Sequence, residues 1–385
     1  MSLYLENDER KERLKNATWI GRPNFAHRME IIECRRPGVR GALYGMAVCE
    51  AICLANSQHP NPLDPGDFGP ETWMAMYTAG AIIKNDWRRT NHFMNVQEIM
   101  QWYKEPRTGR GGYVPHHIAL ALDAWEPHLE NIQTLRVDVE NEDPRFRMQR
   151  FGAIVDKIKA EIGNQTENDS SGLSLAIPVA LHFVFKSDEP RSFIHTWASA
   201  IAAITHPNGV YCILSSMFIE LVYNAIRLCG IVDRPIGRAV GIKKTKAQLA
   251  RTFARHVDSL RPRVDPRRDY FLPIISRFEN YKEIDDWKAK ESSDFMPTTS
   301  PMDTFEAALW CFFSQDTFKE GLTQAISFTG DAVMISTLYG GLAGAYYEIN
   351  AIPPEWIRDF RVNALYAMDT IVEGLERMTE GLLRR

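Results

Sequence analysis

Apolar residues in this chain recur at three- and four-residue spacing and rarely alternate, and that spacing favours helices over strands. Residues 40–55 read RGALYGMAVCEAICLA, small and apolar on all sides, as in a buried helix. Over 71–84, Met74, Tyr77, Ala81 and Ile82 fall near one face. Residues 171–185, 192–204 and 210–229 read as further apolar helices. Asp303 with Glu306 three residues on reads as an N-cap with a capping box. Asp316 reads as the cap of a helix in which Phe318, Leu322 and Ile326 repeat. Over 356–384 a stripe joins Phe360, Leu365, Met368, Ile371, Val372, Leu375 and Met378. Thr134–Val139 (TLRVDV) is the best strand candidate, with a loop or helix end equally open. The chain is predicted to be all-α.

Composition narrows the function classes. Lys plus Arg is 45 against 49 for Asp plus Glu, a net charge of −4, which excludes a dedicated clamp on a nucleic-acid backbone. The basic stretch from Arg234 to Arg268 reads as a solvated helix face. Six cysteines form no CxxC pair and no zinc spacing, so they read as reduced, buried thiols. Met1–Asn16 is dense in charge without an apolar core, so no secretory signal is expected. No run of 18 apolar residues exists, so no spanning helix and no membrane partner are expected. These features predict a cytoplasmic protein. The breaks, as at 56–70 and 288–302, are too short for linkers.

Four segments carry a resemblance. Arg40–Ala51 reads RGALYGMAVCEA, residues 69–75 read GPETWMA, and Ser170–Val179 leads on to Thr205-His206-Pro207-Asn208. Residues 303–356 form the longest match, running through GDAVMISTLYGGLAGAYYEINAIPPEW. In order and spacing these resemble the ADP-ribosylglycohydrolase family, which includes the dinitrogenase-reductase-activating glycohydrolases and the J-crystallins. The resemblance implies one multi-helix orthogonal bundle over 38–385, preceded by a charged leader and first helical segment over 1–37.

The family cleaves the bond at the ribose anomeric carbon of ADP-ribose and uses two magnesium ions. Their ligands come from TDDT and DxDT motifs at two helix starts. Here those motifs become Gly69-Pro70-Glu71-Thr72 and Asp331-Ala332-Val333-Met334. The residual ligand candidates are Glu71, Thr72 and Asp331, too few for a dinuclear site. No cofactor is therefore expected, with magnesium only if the inherited site is retained. The resemblance brings three carboxylates near one another, Glu50, Glu71 and Asp331, and crowded carboxylates can divide acid and base roles. Thr72, Trp73, His116, Ser171, Gly172, Val333 and Met334 are the candidates for substrate contact.

Other signals are weaker. Of the adjacent His116 and His117, one can face the pocket, and a surface role is favoured. His206 reads as a turn residue, and His182 and His195 as residues of apolar helices. Glu50 reads as a cap or ion-pair partner ahead of a direct chemical role. Gly340, Gly341 and Gly344 read as close helix packing. The leading expectation is an enzyme of this fold with a rebuilt, metal-independent pocket doing acid/base chemistry on a small molecule. That chemistry would be hydrolysis, elimination, cyclisation or isomerisation. Magnesium-dependent hydrolysis of ADP-ribosyl linkages is the alternative, and a non-catalytic binding or structural protein is third. Oligomeric state is not readable from the sequence.

Overall fold

The computed structural model describes residues 37–56, 66–84, 92–104, 114–134, 143–163, 169–184, 191–226, 228–229, 242–243, 245–261, 270–295 and 298–383. The leader over 1–36, most of the 134–139 strand candidate and much of the basic stretch lie outside them. Helices carry the described chain. They are α1 (Pro37–Asn56), α2 (Pro70–Lys84), α3 (His92–Lys104), α4 (His116–Thr134) and α5 (Pro144–Ile162). A 3-10 turn at Leu173–Ala176 leads into α6 (Ile177–Phe183), α7 (Arg191–Thr205) and α8 (Gly209–Ile226). Then come α9 (Lys246–Leu260), α10 (Phe271–Phe278), α11 (Ile284–Lys288), α12 (Pro301–Ser314) and α13 (Phe318–Ile326). The last are α14 (Ala332–Tyr347), α15 (Pro354–Arg358) and α16 (Val362–Leu383). Two-residue strands, Leu228–Cys229 and Ile242–Lys243, pair antiparallel with Leu228 opposite Lys243.

Two helices cross at backbone contact in the centre. A Cβ added at Gly41 would stand 2.1 Å from the Gly344 carbonyl oxygen, and one at Gly45 would stand 2.3 Å from that of Gly340. The reverse contacts are as close, 1.9 Å from Gly344 to Gly41 and 2.2 Å from Gly340 to Gly45. Any side chain at these four positions would force α1 and α14 apart. The small apolar sequence of both helices is thus a requirement of their approach. The last described helix closes on this pair: Arg40 Nη1 and the Tyr44 hydroxyl donate to Asp369 Oδ1 on α16 at 2.8 and 2.7 Å. Buried side chains from every helix join one continuous core.

α1 and α8 are long and apolar enough, by length and composition, to cross a membrane. Both lie mostly buried inside the protein. A core helix needs the same composition, because it too has no polar face.

Two expected caps are corrected. α12 starts at Pro301 after Ser300, not at Asp303. Asp303 and Glu306 instead receive Arg277, at 2.8 Å from Nη2 and 2.6 Å from Nε. α13 is capped by Thr317, whose hydroxyl accepts from Glu320 N, while Asp316 is exposed. In the described part of the basic stretch, Arg251 pairs with Glu283 and Arg261 with Glu279, at 2.8 and 2.9 Å. Lys246 departs from that solvated face. It is buried, donates to the Phe312 and Gln315 carbonyls, and lies 4.6 Å from the Phe312 ring centroid. It closes the C-terminal end of α12, where carbonyls lack helical partners.

Candidate functional site

Glu50 sits on α1 with no exposed surface. Its carboxylate accepts from Glu71 N at 2.9 Å, Thr72 N at 3.0 Å and Thr72 Oγ1 at 2.6 Å. The first amides of a helix have no partner within it, and a carboxylate supplied from α1 satisfies two of them for α2. This arrangement accounts for the preceding residues. A Cβ at Gly69 would meet Glu50 Oε1 at 2.2 Å. Pro70, at the first helical position, has no amide to satisfy.

Glu71 is also buried. Both its oxygens accept from Gly172 N, at 2.9 and 2.8 Å, and Ser174 Oγ donates to Oε2 at 3.0 Å. Gly172 has φ +81°, a left-handed conformation that suits glycine. The turn before α6 is therefore strapped to the start of α2 through a carboxylate. Burial pushes the Glu50 carboxyl up to about 7 against the opposing pull of its three donors. Burial, then the Glu50 charge, push that of Glu71 well above the usual range.

That strapped turn presents Asp169, Ser170 and Ser171. Asp169 accepts from Ser171 N at 3.1 Å and from the Ser171 hydroxyl, and His206 Nε2 lies 3.3 Å away. Burial pushes the Asp169 carboxyl up, but His206 and Ser171 outweigh it and hold it at about 2. His206 is fixed on every side. Its Nδ1 lies 3.0 Å from Thr205 Oγ1, and its ring stacks on Tyr211 with centroids 4.0 Å apart. The Tyr211 hydroxyl donates to the Ser171 carbonyl, closing the loop. Burial lowers the His206 pKa, so the neutral ring with Nε2–H donating to Asp169 satisfies both partners.

Asp331 stands at the start of α14. Its Oδ2 accepts from the Ser170 hydroxyl, and from Thr304 Oγ1 on α12 at 2.9 Å. Burial raises its carboxyl above the usual range, against these two donors. Asp169 and Asp331 thus flank Ser170 with their pKa values displaced in opposite directions.

The expected residues divide accordingly. Glu50, Glu71, Thr72, Ser171 and Gly172 come together, spent on hydrogen bonds that hold the turn. Trp73 is buried, with its indole N–H donating to Asp67 Oδ1 at 3.1 Å and its ring against Phe68, so it offers no free face for stacking on a ligand. Met334 is buried and Val333 half-buried. His116 is exposed, whereas His117 is half-buried, electrostatically coupled to His206, and has a buried Nδ1 without a hydrogen bond. Asp169, Ser170 and Thr304 complete the cluster, and sequence reasoning did not name them as site residues, whereas the His116–His117 pair was named with one of the two able to face the pocket. An Asp two residues before Ser171 N is an Asx-turn pattern, the one signal that could have singled out Asp169.

The family's two magnesium ions do not fit these residues. Such ions take oxygen ligands at about 2.0–2.1 Å. Both Glu71 oxygens already receive donors, and the Thr72 hydroxyl is donated to Glu50. Val333 and Met334 supply no side-chain oxygen. Asp331 Oδ2 likewise already accepts from the Ser170 hydroxyl and from Thr304 Oγ1.

The fold and this helix-start cluster define a class of protein. The ADP-ribosylglycohydrolase family model matches residues 33–384, and the chain belongs to that family. A solved ADP-ribosylglycohydrolase-related protein complex shares the fold at a TM-score of 0.56 and 17% identity, covering 90% of this chain and 100% of the other. An ADP-ribosylarginine hydrolase Tri1 of Serratia proteamaculans is 29% identical over 333 residues, 83% of this chain and 74% of that protein. The Tri1 of Pseudomonas putida is 32% identical over 111 residues, 29% of this chain and 26% of that protein. The ADP-ribosyl-[dinitrogen reductase] glycohydrolase of Rhodospirillum rubrum is 41% identical over 56 residues, 14% of this chain and 19% of that one.

Proposed function

We propose that this chain hydrolyses a ribosyl glycosidic bond of the ADP-ribosyl class with two aspartates in place of the family's magnesium pair. Family membership supports the bond type. The observation that carries the mechanism is geometric: Asp331 and Asp169 meet the Ser170–Ser171 turn from two sides, the first in a site where burial favours its protonated form and the second held ionised by His206 and Ser171. Asp331, raised by burial, gives its proton to the leaving nitrogen or oxygen as the bond to the anomeric carbon breaks. Asp169 stays ionised, offsets the positive charge that develops on the ribose, and orients a water. The water oxygen bonds to the anomeric carbon, and its released proton restores Asp331. Glu50 and Glu71 are positioning residues, since they hold the turn and reach no reacting atom. His117, with its unpaired Nδ1, is the substrate-contact candidate in place of His116.

ADP-ribosylated arginine peptide is the direct probe. Release of ADP-ribose that persists in EDTA and falls about 10²–10⁴-fold in Asp331→Asn is the expected result. Loss of release in EDTA with recovery on adding magnesium would sink the metal-independent mechanism. No release under either condition would sink the substrate class.

The half-buried Val333 favours a second reading, in which the same aspartates act on a smaller, more apolar molecule. A metabolite screen read by melting temperature separates the two. Stabilisation by ADP-ribose supports the first, and stabilisation by apolar compounds alone supports the second.

A further inference from the structure

A second cluster of ligating side chains lies away from this site, and the proposed function does not use it. His195 on α7, Glu220 on α8 and His256 on α9 each offer one ligand atom, all within 4.8 Å of one another. His195 Nε2 lies 2.9 Å from Glu220 Oε2, and the two imidazole rings are 4.8 Å apart at their centroids. Glu220 is 4% exposed, and its other oxygen accepts from Asn224 Nδ2 at 2.9 Å. Both histidines are half-buried.

We propose that His195, Glu220 and His256 form a binding site for a borderline divalent transition ion, of which zinc is the representative. Two imidazoles and one carboxylate are a donor set suited to such an ion and unsuited to magnesium, which takes oxygen. A tetrahedral ion holding ligands at about 2.0–2.2 Å keeps them roughly 3.4 Å apart. The observed spread therefore needs closure of about 1 Å, within reach of a half-exposed histidine rotating on its helix. Asn224 acts as an outer support that orients the carboxylate. The three ligands come from three helices, so the ion ties α9 to the α7–α8 pair. The same pair carries His206 and Tyr211. At 1.5 Å per residue, the eleven residues from His195 to His206 span roughly 16 Å. The ion is thus a clamp behind the candidate site and no participant in it. The alternative occupant of the same geometry is a bare His195–Glu220 ion pair with His256 packed on it.

The full chain, stripped with EDTA and dialysed, is titrated with zinc chloride by calorimetry, with magnesium chloride in parallel. One zinc per chain at micromolar affinity or tighter, a raised melting temperature and no magnesium response are expected. His256→Gln, a half-exposed change that leaves the His195–Glu220 contact in place, should weaken zinc binding by roughly a hundredfold. Cobalt titration should give the visible absorption of a low-symmetry site in the parent and none in His256→Gln. Asp169→Asn should bind zinc as the parent does. Unchanged zinc affinity in both His256→Gln and Glu220→Gln overturns the proposal, as does loss of binding in Asp169→Asn with retention in His256→Gln.

Discussion

Glu50 is a buried acid whose described hydrogen bonds all go to the start of α2. Its two oxygens satisfy the first amides of α2 and the Thr72 hydroxyl at once. In Glu50→Gln the amide nitrogen carries donors only, so one of these donors loses its acceptor inside the core. Buried hydrogen bonds to a charged group are worth about 1.5–3 kcal/mol each, and denaturant unfolding at a pH above the raised Glu50 pKa of about 7, where the carboxyl is ionised, should show a loss of about 3 kcal/mol. Gly69→Ala tests the same contact from the other side, because its Cβ would overlap Glu50. A loss of comparable size is expected there. Asp169→Asn, which keeps the size of the side chain and removes its charge, should lower turnover far more than stability. If melting falls sharply while turnover holds, Asp169 is a structural residue.

At the scale of elements, the α1–α14 crossing sets where Glu50 and Asp331 stand. Gly344→Ala would place a methyl group 1.9 Å from a backbone oxygen that cannot move without moving α1. Overpacking of side chains costs about 1–3 kcal/mol, and a rigid backbone neighbour puts this substitution at or beyond the upper end. Circular dichroism on melting checks it, and a Gly344→Ala protein as stable as the parent would show that the helices part easily. Lys246→Met tests a different joint. It keeps the apolar stem beside Phe312 and Tyr347 but removes the cation from the α12 carbonyls. Phe312 O then loses its Lys246 donor and Gln315 O keeps only the Tyr347 hydroxyl at 3.3 Å, and a loss of about 2 kcal/mol is expected. The spacing of apolar residues made the helices legible, and the GGLAG run made their close packing legible. The starts of α12 and α13 were misread because Asp303 and Asp316 are good caps in isolation. Arg277 drew Asp303 and Glu306 into an ion-pair cluster instead, and Thr317 took the capping position nearer the helix.

For the whole molecule, pH dependence follows from buried groups on both sides. His92 packs between Phe151 and Trp197 with both ring nitrogens unbonded, and burial holds its pKa at about 4 against 6.5 when free. A histidine lowered in this way contributes stability above 6.5, and the contribution is lost as pH falls toward 4. The loss is on the order of 3 kcal/mol. Glu50 runs the other way. Raised from 4.5 to about 7, it contributes fully below 4.5 and loses that contribution as pH rises through 7. The difference between parent and His92→Phe at each pH isolates the histidine. The variant's advantage should grow between pH 6.5 and 4, and a constant difference would show that His92 is not the titrating group.

What the sequence determined by itself was the helical class, the family resemblance, and the presence of Gly69, Pro70, Val333 and Met334 at four positions of the two matched motifs. Those follow from residue type and local spacing, which the linear chain displays. Only the tertiary structure decided which donors each carboxylate receives. Glu50, Glu71 and Asp331 look alike as acids in sequence. The first two accept from amides of α2, the Gly172 amide and the Ser174 hydroxyl, groups 21 to 103 residues away. Asp169, one residue before the matched segment, gained its place from His206, which lies 37 residues on. A carboxylate's role depends on the donors that reach it, and in this fold those donors arrive from other helices.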